Sequence, residues 1–169
     1  MKDKALSYRR LFARFATGVA IVLTDEGGEV QGLTVNSLTS ASLDPLLLLF
    51  CVSRSSRTGD AILRTGRFTV NILNADQENA ARHFASRKDT QATFEYGREA
   101  GFVWLAHSNA VFHCHLEKSY PGGDHRIIIG SVENMSGPDE CKHLLVYHEG
   151  HYANLQSKAI SNRDEARTS

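Results

Sequence analysis

The sequence predicts a mainly β domain with peripheral helices, either an antiparallel barrel or a sandwich. Seven or eight strand-like runs outnumber about three helical segments. Neighbouring runs are joined mostly by short glycine turns, which disfavours a parallel βαβ sheet. A chain of 169 residues with no internal repeat and no linker reads as one domain with a sizeable core.

Each element follows from local pattern. Tyr8, Leu11, Phe12 and Phe15 recur at helical spacing with Arg9, Arg10 and Arg14 between them, so an amphipathic helix is expected to run up to Gly18. Val19 to Thr24 reads as a strand, and Gly27-Gly28 turn it into the second arm of a hairpin, VQGLTVNS. The most apolar run, Leu46 to Val52, reads as a fully buried strand. Ser53 to Gly59 is a Ser- and Arg-rich loop leading into a short helix closed by Gly66. Arg67 to Leu73 is the next strand. Asp76 to Arg87 has the pattern of a helix, with Asn74 as its cap. The polar stretch Lys88 to Gly101 reads as loop. Ala110 to Tyr120 and His125 to Met135 are strands joined by Pro121-Gly122-Gly123-Asp124. His143 to Leu155 forms a last hairpin turning at Glu149-Gly150. The domain is placed at residues 1–155, with a polar, frayed tail at 156–169.

Bulk properties narrow the function classes. Lys plus Arg equals Asp plus Glu, 19 against 19. That balance argues against nucleic-acid binding, which rests on excess positive charge, and against a polybasic membrane anchor. The run Pro45 to Val52 is far too short to span a bilayer. Cys51, Cys114 and Cys141 are too few for a disulfide framework, and MKDKALSYRR leads into no signal-peptide core, so a cytoplasmic location is expected. GxGxxG, GxxxxGK[ST], HExxH, CxxC and GxSxG are all absent, which removes most easily read enzyme classes.

Four constellations carry possible chemistry. Gly32 to Pro45 holds five hydroxyl residues, Thr34, Ser37, Thr39, Ser40 and Ser42, plus Asn36, beside a buried strand. They either line a polar cofactor or cap a surface loop. SRSSRTG, Ser53 to Gly59, offers hydroxyls, two guanidiniums and a helix start, the donors a phosphate needs; a solvated loop with an N-cap serine is the plainer alternative. His113 and His115 share one face of a strand, but no further metal ligand stands near them in sequence, so no metal is expected. Asp124-His125 sits where a turn meets a strand: either a self-satisfied hairpin or an imidazole on the rim of a cleft.

In order along the chain, FARFATGVAIVLT, GLTVNSLTSASLDPLLLLFCV, SRSSRTG, RFTVNIL, GGDHRIIIGSVE and LLVYHEGHYANL together resemble the short-chain flavin reductases. These are the reductase components of two-component flavin-dependent monooxygenases. One departure is visible: many relatives carry two prolines after the Asp, whereas here Pro45 is followed by Leu46. The resemblance implies a flavin reductase-like split barrel that binds FMN or FAD, usually as a homodimer with flavin near the subunit interface. It implies NADH or NADPH as co-substrate, with hydride passing from nicotinamide C4 to flavin N5. Reduced flavin would go to a partner oxygenase, of which an aromatic hydroxylase is the family's commonest type. Carried over by motif, Thr34, Val35, Asn36, Ser37 and Cys51 would contact the flavin ring or ribityl chain. Ser53, Arg54, Ser56, Arg57 and Thr58 would hold its phosphate, and Phe84 and Arg87 would close over it. His125 would hold the nicotinamide nucleotide, with Asp124 orienting the imidazole. The rival expectation is a non-catalytic flavin or haem carrier on the same barrel, with His113 and His115 keeping haem in play.

Overall fold

A computed structural model describes residues 2–86 and 92–155; Arg87 and the expected tail at 156–169 lie outside the described residues. The chain begins with α1 (Lys2–Phe12), β1 (Thr17–Gly18), β2 (Ala20–Glu26), β3 (Glu29–Val35), β4 (Thr39–Leu43) and β5 (Leu46–Ser53). It continues through α2 (Arg57–Thr65), β6 (Arg67–Ile72), a 3-10 turn (Ala75–Gln77), α3 (Glu78–Ala85), β7 (Tyr96–Glu99) and β8 (Phe102–Leu105). The last strands are β9 (Ala110–Gly122), β10 (His125–Ser136), β11 (Leu144–His148) and β12 (His151–Leu155).

Seven strands form the main antiparallel sheet, in the order β3-β2-β6-β9-β10-β5-β4. Small sheets, β1-β11-β12 and β7-β8, flank it. The expected antiparallel barrel is therefore present. Its organising strand is β2, buried on both faces. Ala20 and Val22 point into the barrel with Phe50, Phe68, Val70, Cys114 and Ile128. Ile21 and Leu23 point the other way, against Ala80 and Ala81 of α3, Val103 and Leu105 of β8, and Leu145 of β11. Ile21, Val22 and Leu23 are fully buried, each removing a side chain from water at a gain of about 1.5–3 kcal/mol. At the barrel's centre Phe68 meets Phe50 edge to face at 5.4 Å. Gly130 gives Phe68 its room, since a Cβ there would stand 2.4 Å from the ring.

α2 plugs one end of the barrel. Ser56 caps it by accepting from the Gly59 N–H at 3.1 Å, and Gly66 ends it in the left-handed region at φ 67°. Asn74 is a cap as expected, but of the 3-10 turn that precedes α3.

Several expectations are corrected. α1 stops at Phe12, because Thr17 and Gly18 leave the helix to pair with Tyr147 and Val146 of β11. The stretch expected to be loop holds β7, which pairs with β8 through the positive-φ corner Ala100-Gly101; its Arg and Glu hid the strand. β4, expected as loop, is an exposed edge strand paired to β5 across the cis Asp44–Pro45 turn, and exposed edges carry no apolar alternation. The β9–β10 turn is tighter than expected, only Gly123-Asp124. Pro121 is tolerated within β9 because beyond His115 that strand pairs with β10 alone.

The Phe68–Gly130 contact generates a stability prediction. Gly130→Ala should lower the unfolding free energy by about 1–3 kcal/mol through overpacking, and adding Phe68→Leu should restore part of that loss. Urea denaturation checks both; an unchanged midpoint for Gly130→Ala contradicts the packing described.

Candidate active site

The free edge of β3 faces β5 and the start of α2 across a cleft of about 870 Å³. Side chains from distant parts of the chain hold this edge in place. Thr58 Oγ1 donates to the Gly32 carbonyl at 3.0 Å, and Thr34 Oγ1 to the Ala81 carbonyl at 2.7 Å. Ser37 Oγ accepts from the Cys51 N–H at 2.9 Å and donates to the Cys51 carbonyl at 3.4 Å, joining the end of β3 to β5. The Gly32 carbonyl thus points away from β2. Because main-chain direction alternates along a strand, the N–H and C=O of Thr34 lie on the same free edge.

The expected site residues converge here. Thr34, Val35, Asn36, Ser37, Cys51, Ser53, Ser56, Arg57, Thr58, Phe84 and His125 all line the cleft. Their expected roles need adjustment, however. The hydroxyl protons of Thr34, Ser37 and Thr58 are already given to main-chain carbonyls, so these side chains build the walls and retain only acceptor capacity. Arg54 is exposed and does not line the cleft, because it follows the last residue of β5 and turns outward; its N–H donates to the Asp124 carbonyl at 3.0 Å. Asp124 is likewise off the wall. It stands behind His125, with Oδ1 2.8 Å from the ring Nδ1.

That contact fixes the imidazole's polarity. An ionised carboxylate only accepts, so Nδ1 carries the proton and Nε2 remains for a ligand. The hydrogen bond from His125 holds the Asp124 carboxyl below the usual range. The arrangement therefore persists above that depressed value and is lost as pH falls through it.

The electrostatics of the cleft favour an anion at one end. Among the described residues Arg57 is the one guanidinium that lines it, beside the His125 imidazole, and no carboxylate lines it. The first turn of α2 adds its N–H groups and partial positive charge, and Ser53 and Ser55 hydroxyls stand 3.0 Å apart beside it. The other end, by Asn36, Ser37 and His125, opens into a second groove of about 1040 Å³. Tyr8, Phe12 and Phe15 wall that groove, with Tyr147 across from them. Asn36, Ser37 and His125 line both cavities. The donor set fits a flavin nucleotide: anion donors at one end, a strand edge of main-chain donors and acceptors along the side, and an apolar lid in Phe84.

Some lining residues were not foreseen. Gly32 is one: a Cβ there would meet the Phe84 ring at 2.6 Å, so its lack of a side chain lets α3 close onto β3. A glycine within a strand signals such close approach. The α1 aromatics are another, since helical spacing suggests core packing. By contrast His113, stacked on Phe102 at 5.0 Å, and His115, 2.7 Å from Glu133, line neither cavity. Burial raises the Cys114 thiol between them to about 12.

Residues 12–156 match the flavin reductase like domain. The chain is 35% identical over 145 residues to the reductase component of 4-hydroxyphenylacetate 3-monooxygenase from Thermus thermophilus, covering 86% of this chain and 93% of that protein. It is 33% identical over 163 residues to an NADH-dependent flavin reductase of Rhodococcus sp, covering 95% and 90%. Among solved structures, the NADH:FAD oxidoreductase of Streptomyces globisporus C-1027 in complex with NAD and FAD fragments superposes with a TM-score of 0.85 at 32% identity, covering 94% of this chain and 97% of that one. The barrel whose β3 edge opens on this cleft, with the start of α2 at one end and His125 shared with the adjoining groove at the other, is the fold of a chain that belongs to the flavin reductase-like family.

Proposed function

We propose that the chain uses NADH or NADPH to reduce FMN or FAD and releases the reduced flavin to a partner monooxygenase. The observation that carries this reading is the double position of His125, on the wall of the cleft and of the adjoining groove at once. The bound flavin and nicotinamide supply the hydride chemistry between them.

The chain's own residues hold and orient. The Arg57 and Thr58 N–H groups at the start of α2, the Ser53 and Ser55 hydroxyls and the Arg57 guanidinium take the phosphate. The free edge of β3 at Thr34 meets the polar rim of the ring system, donating where negative charge grows on reduction. Phe84 and Val35 exclude water from the ring. Nε2 of His125 presents a hydrogen-bonding atom to the groove, with Asp124 fixing the tautomer. No acid–base pair is required of the protein. Ser55 and Arg57 are exposed, which leaves the phosphate end accessible and suits a flavin that must depart.

The likeness to a 4-hydroxyphenylacetate 3-monooxygenase reductase component supports an aromatic hydroxylase as the oxygenase that receives the flavin. Unpaired Cys51, Cys114 and Cys141 support a cytoplasmic setting, and among the described residues no helix is long and apolar enough to cross a membrane. A homodimer is supported by α1. Leu6, Tyr8, Leu11 and Phe12 are 49%, 66%, 62% and 60% exposed, too apolar a surface to stay wet, and Phe12 walls the groove.

Three outcomes are expected. In a steady-state assay across both flavins and both nicotinamides, at least one pair should give enzyme-dependent loss of absorbance at the nicotinamide band; flat traces with folded protein sink the proposal. Arg57→Met should raise the KM for FMN about tenfold and leave that for riboflavin, which lacks the phosphate, nearly unchanged. Equal effects on both would place the phosphate elsewhere. Light scattering at micromolar concentration should give about twice the chain mass of 18.7 kDa, against which a monomer mass would count.

A further inference from the structure

His125 is held on both sides by the loop and helix that face the phosphate end of the cleft. On its N-terminal side, the Asp124 carbonyl accepts from the Arg54 N–H at 3.0 Å. On its C-terminal side, Arg126 Nη1 donates to Asp60 Oδ1 at 2.9 Å. Register explains how one short segment reaches both ways. His125 pairs with Ser53 and Arg126 with Val52. Side chains alternate across a sheet, so His125 shares the cleft face with Ser53 while Arg126 shares the inner face with Val52, which packs against Gly59 of α2. Arg126 is half-buried there, its side chain 24% exposed.

Asp60 has a charge problem of its own. It sits in the first turn of α2, four residues past the cap Ser56 and three past Arg57. A carboxylate there stabilises the helix. It also repels any anion that approaches the same helix start. Arg126 is the cation that pairs with it directly, and Arg64 one turn on also feels its charge.

Resting on the proposed reading of the cleft, we propose that Arg126 is a positioning residue whose pairing with Asp60 ties the nicotinamide-facing His125 to the phosphate-binding helix and screens Asp60 from the flavin phosphate. Neither partner lines the cleft, so both act through others.

The two functions of the pair separate in kinetics. Asp60→Asn removes the ion pair and the repelling charge together. It should raise the KM for NADH about fivefold while the KM for FMN stays level or falls. Arg126→Met removes the tie but leaves the carboxylate; it should raise the KM for NADH and for FMN, with that for riboflavin unchanged. General damage to the fold would raise every KM in both variants alike. A second readout needs no turnover. In flavin-free protein, the imidazole NMR resonance of His125 should move in Asp60→Asn, while that of His107 stays put. The inference is overturned by an unmoved His125 resonance, or by an Asp60→Asn enzyme whose NADH and FMN constants match the wild type or rise together. A wild-type protein that oxidises no NADH with any flavin sinks the functional reading instead, and the NMR comparison still decides the positioning.

Discussion

A sheet edge that must not be left bare governs this structure. β3 ends the seven-stranded sheet, and its outer N–H and C=O groups have no strand to pair with. Leaving such groups dry would cost several times the worth of an ordinary hydrogen bond. The chain covers the edge at intervals: Thr58 reaches Gly32, and Ser37 clasps Cys51 on β5. Between those points the edge is open. The opening is the cleft, and the same hydrogen bonds that close the barrel fix its width.

The elements that complete the barrel also supply the site's chemistry. α2 fills the barrel's end with Ala61 and Ile62 and so aims its first turn at the cleft. α3 is drawn onto β3 by Phe84 resting on Gly32, and this brings an apolar lid over the same opening. The β9–β10 hairpin puts His125 opposite Ser53 through ordinary ladder pairing. Among the described residues, the non-glycine positions with positive φ, Ala100, His107 and Glu149, all lie off the cleft. On the proposed reading, placement alone turns common hydroxyls, one guanidinium and one imidazole into a flavin site, in which the cofactors would do the redox work and the protein would contribute orientation and field.

Much of this was legible in the sequence, and the exceptions have physical causes. The apolar run Leu46 to Val52 announces a strand, and the Gly27-Gly28 turn its hairpin; the full burial expected of that run is corrected, since only its inner face, Leu48, Phe50 and Val52, is buried, while Leu47, Leu49 and Cys51 are half-buried and Leu46 is exposed. β4 and β7 did not announce themselves, because exposed or charge-bearing strands lack alternation; only their partners β5 and β8 make them strands. The residue types singled out at Asn36, Ser53, Arg57 and His125 share one cleft in the structure. They did not reveal where a hydroxyl's proton goes, and so Thr34, Ser37 and Thr58 read as ligand contacts when their donors serve the fold. The Arg126–Asp60 pair, 66 residues apart in sequence, has no local signature at all. The exposed apolar face of α1 was visible as periodicity, but periodicity says only that a face is apolar, not what covers it.

The open edge of β3 is best tested by a crystal structure with FMN and an oxidised nicotinamide nucleotide bound together. The phosphate should lie at the first turn of α2 within hydrogen-bonding reach of Arg57, the ring's polar rim along Thr34, and the nicotinamide in the groove beyond His125. A flavin found outside this cleft, or a β3 edge covered by the chain's own atoms with no room for a ring, would contradict it.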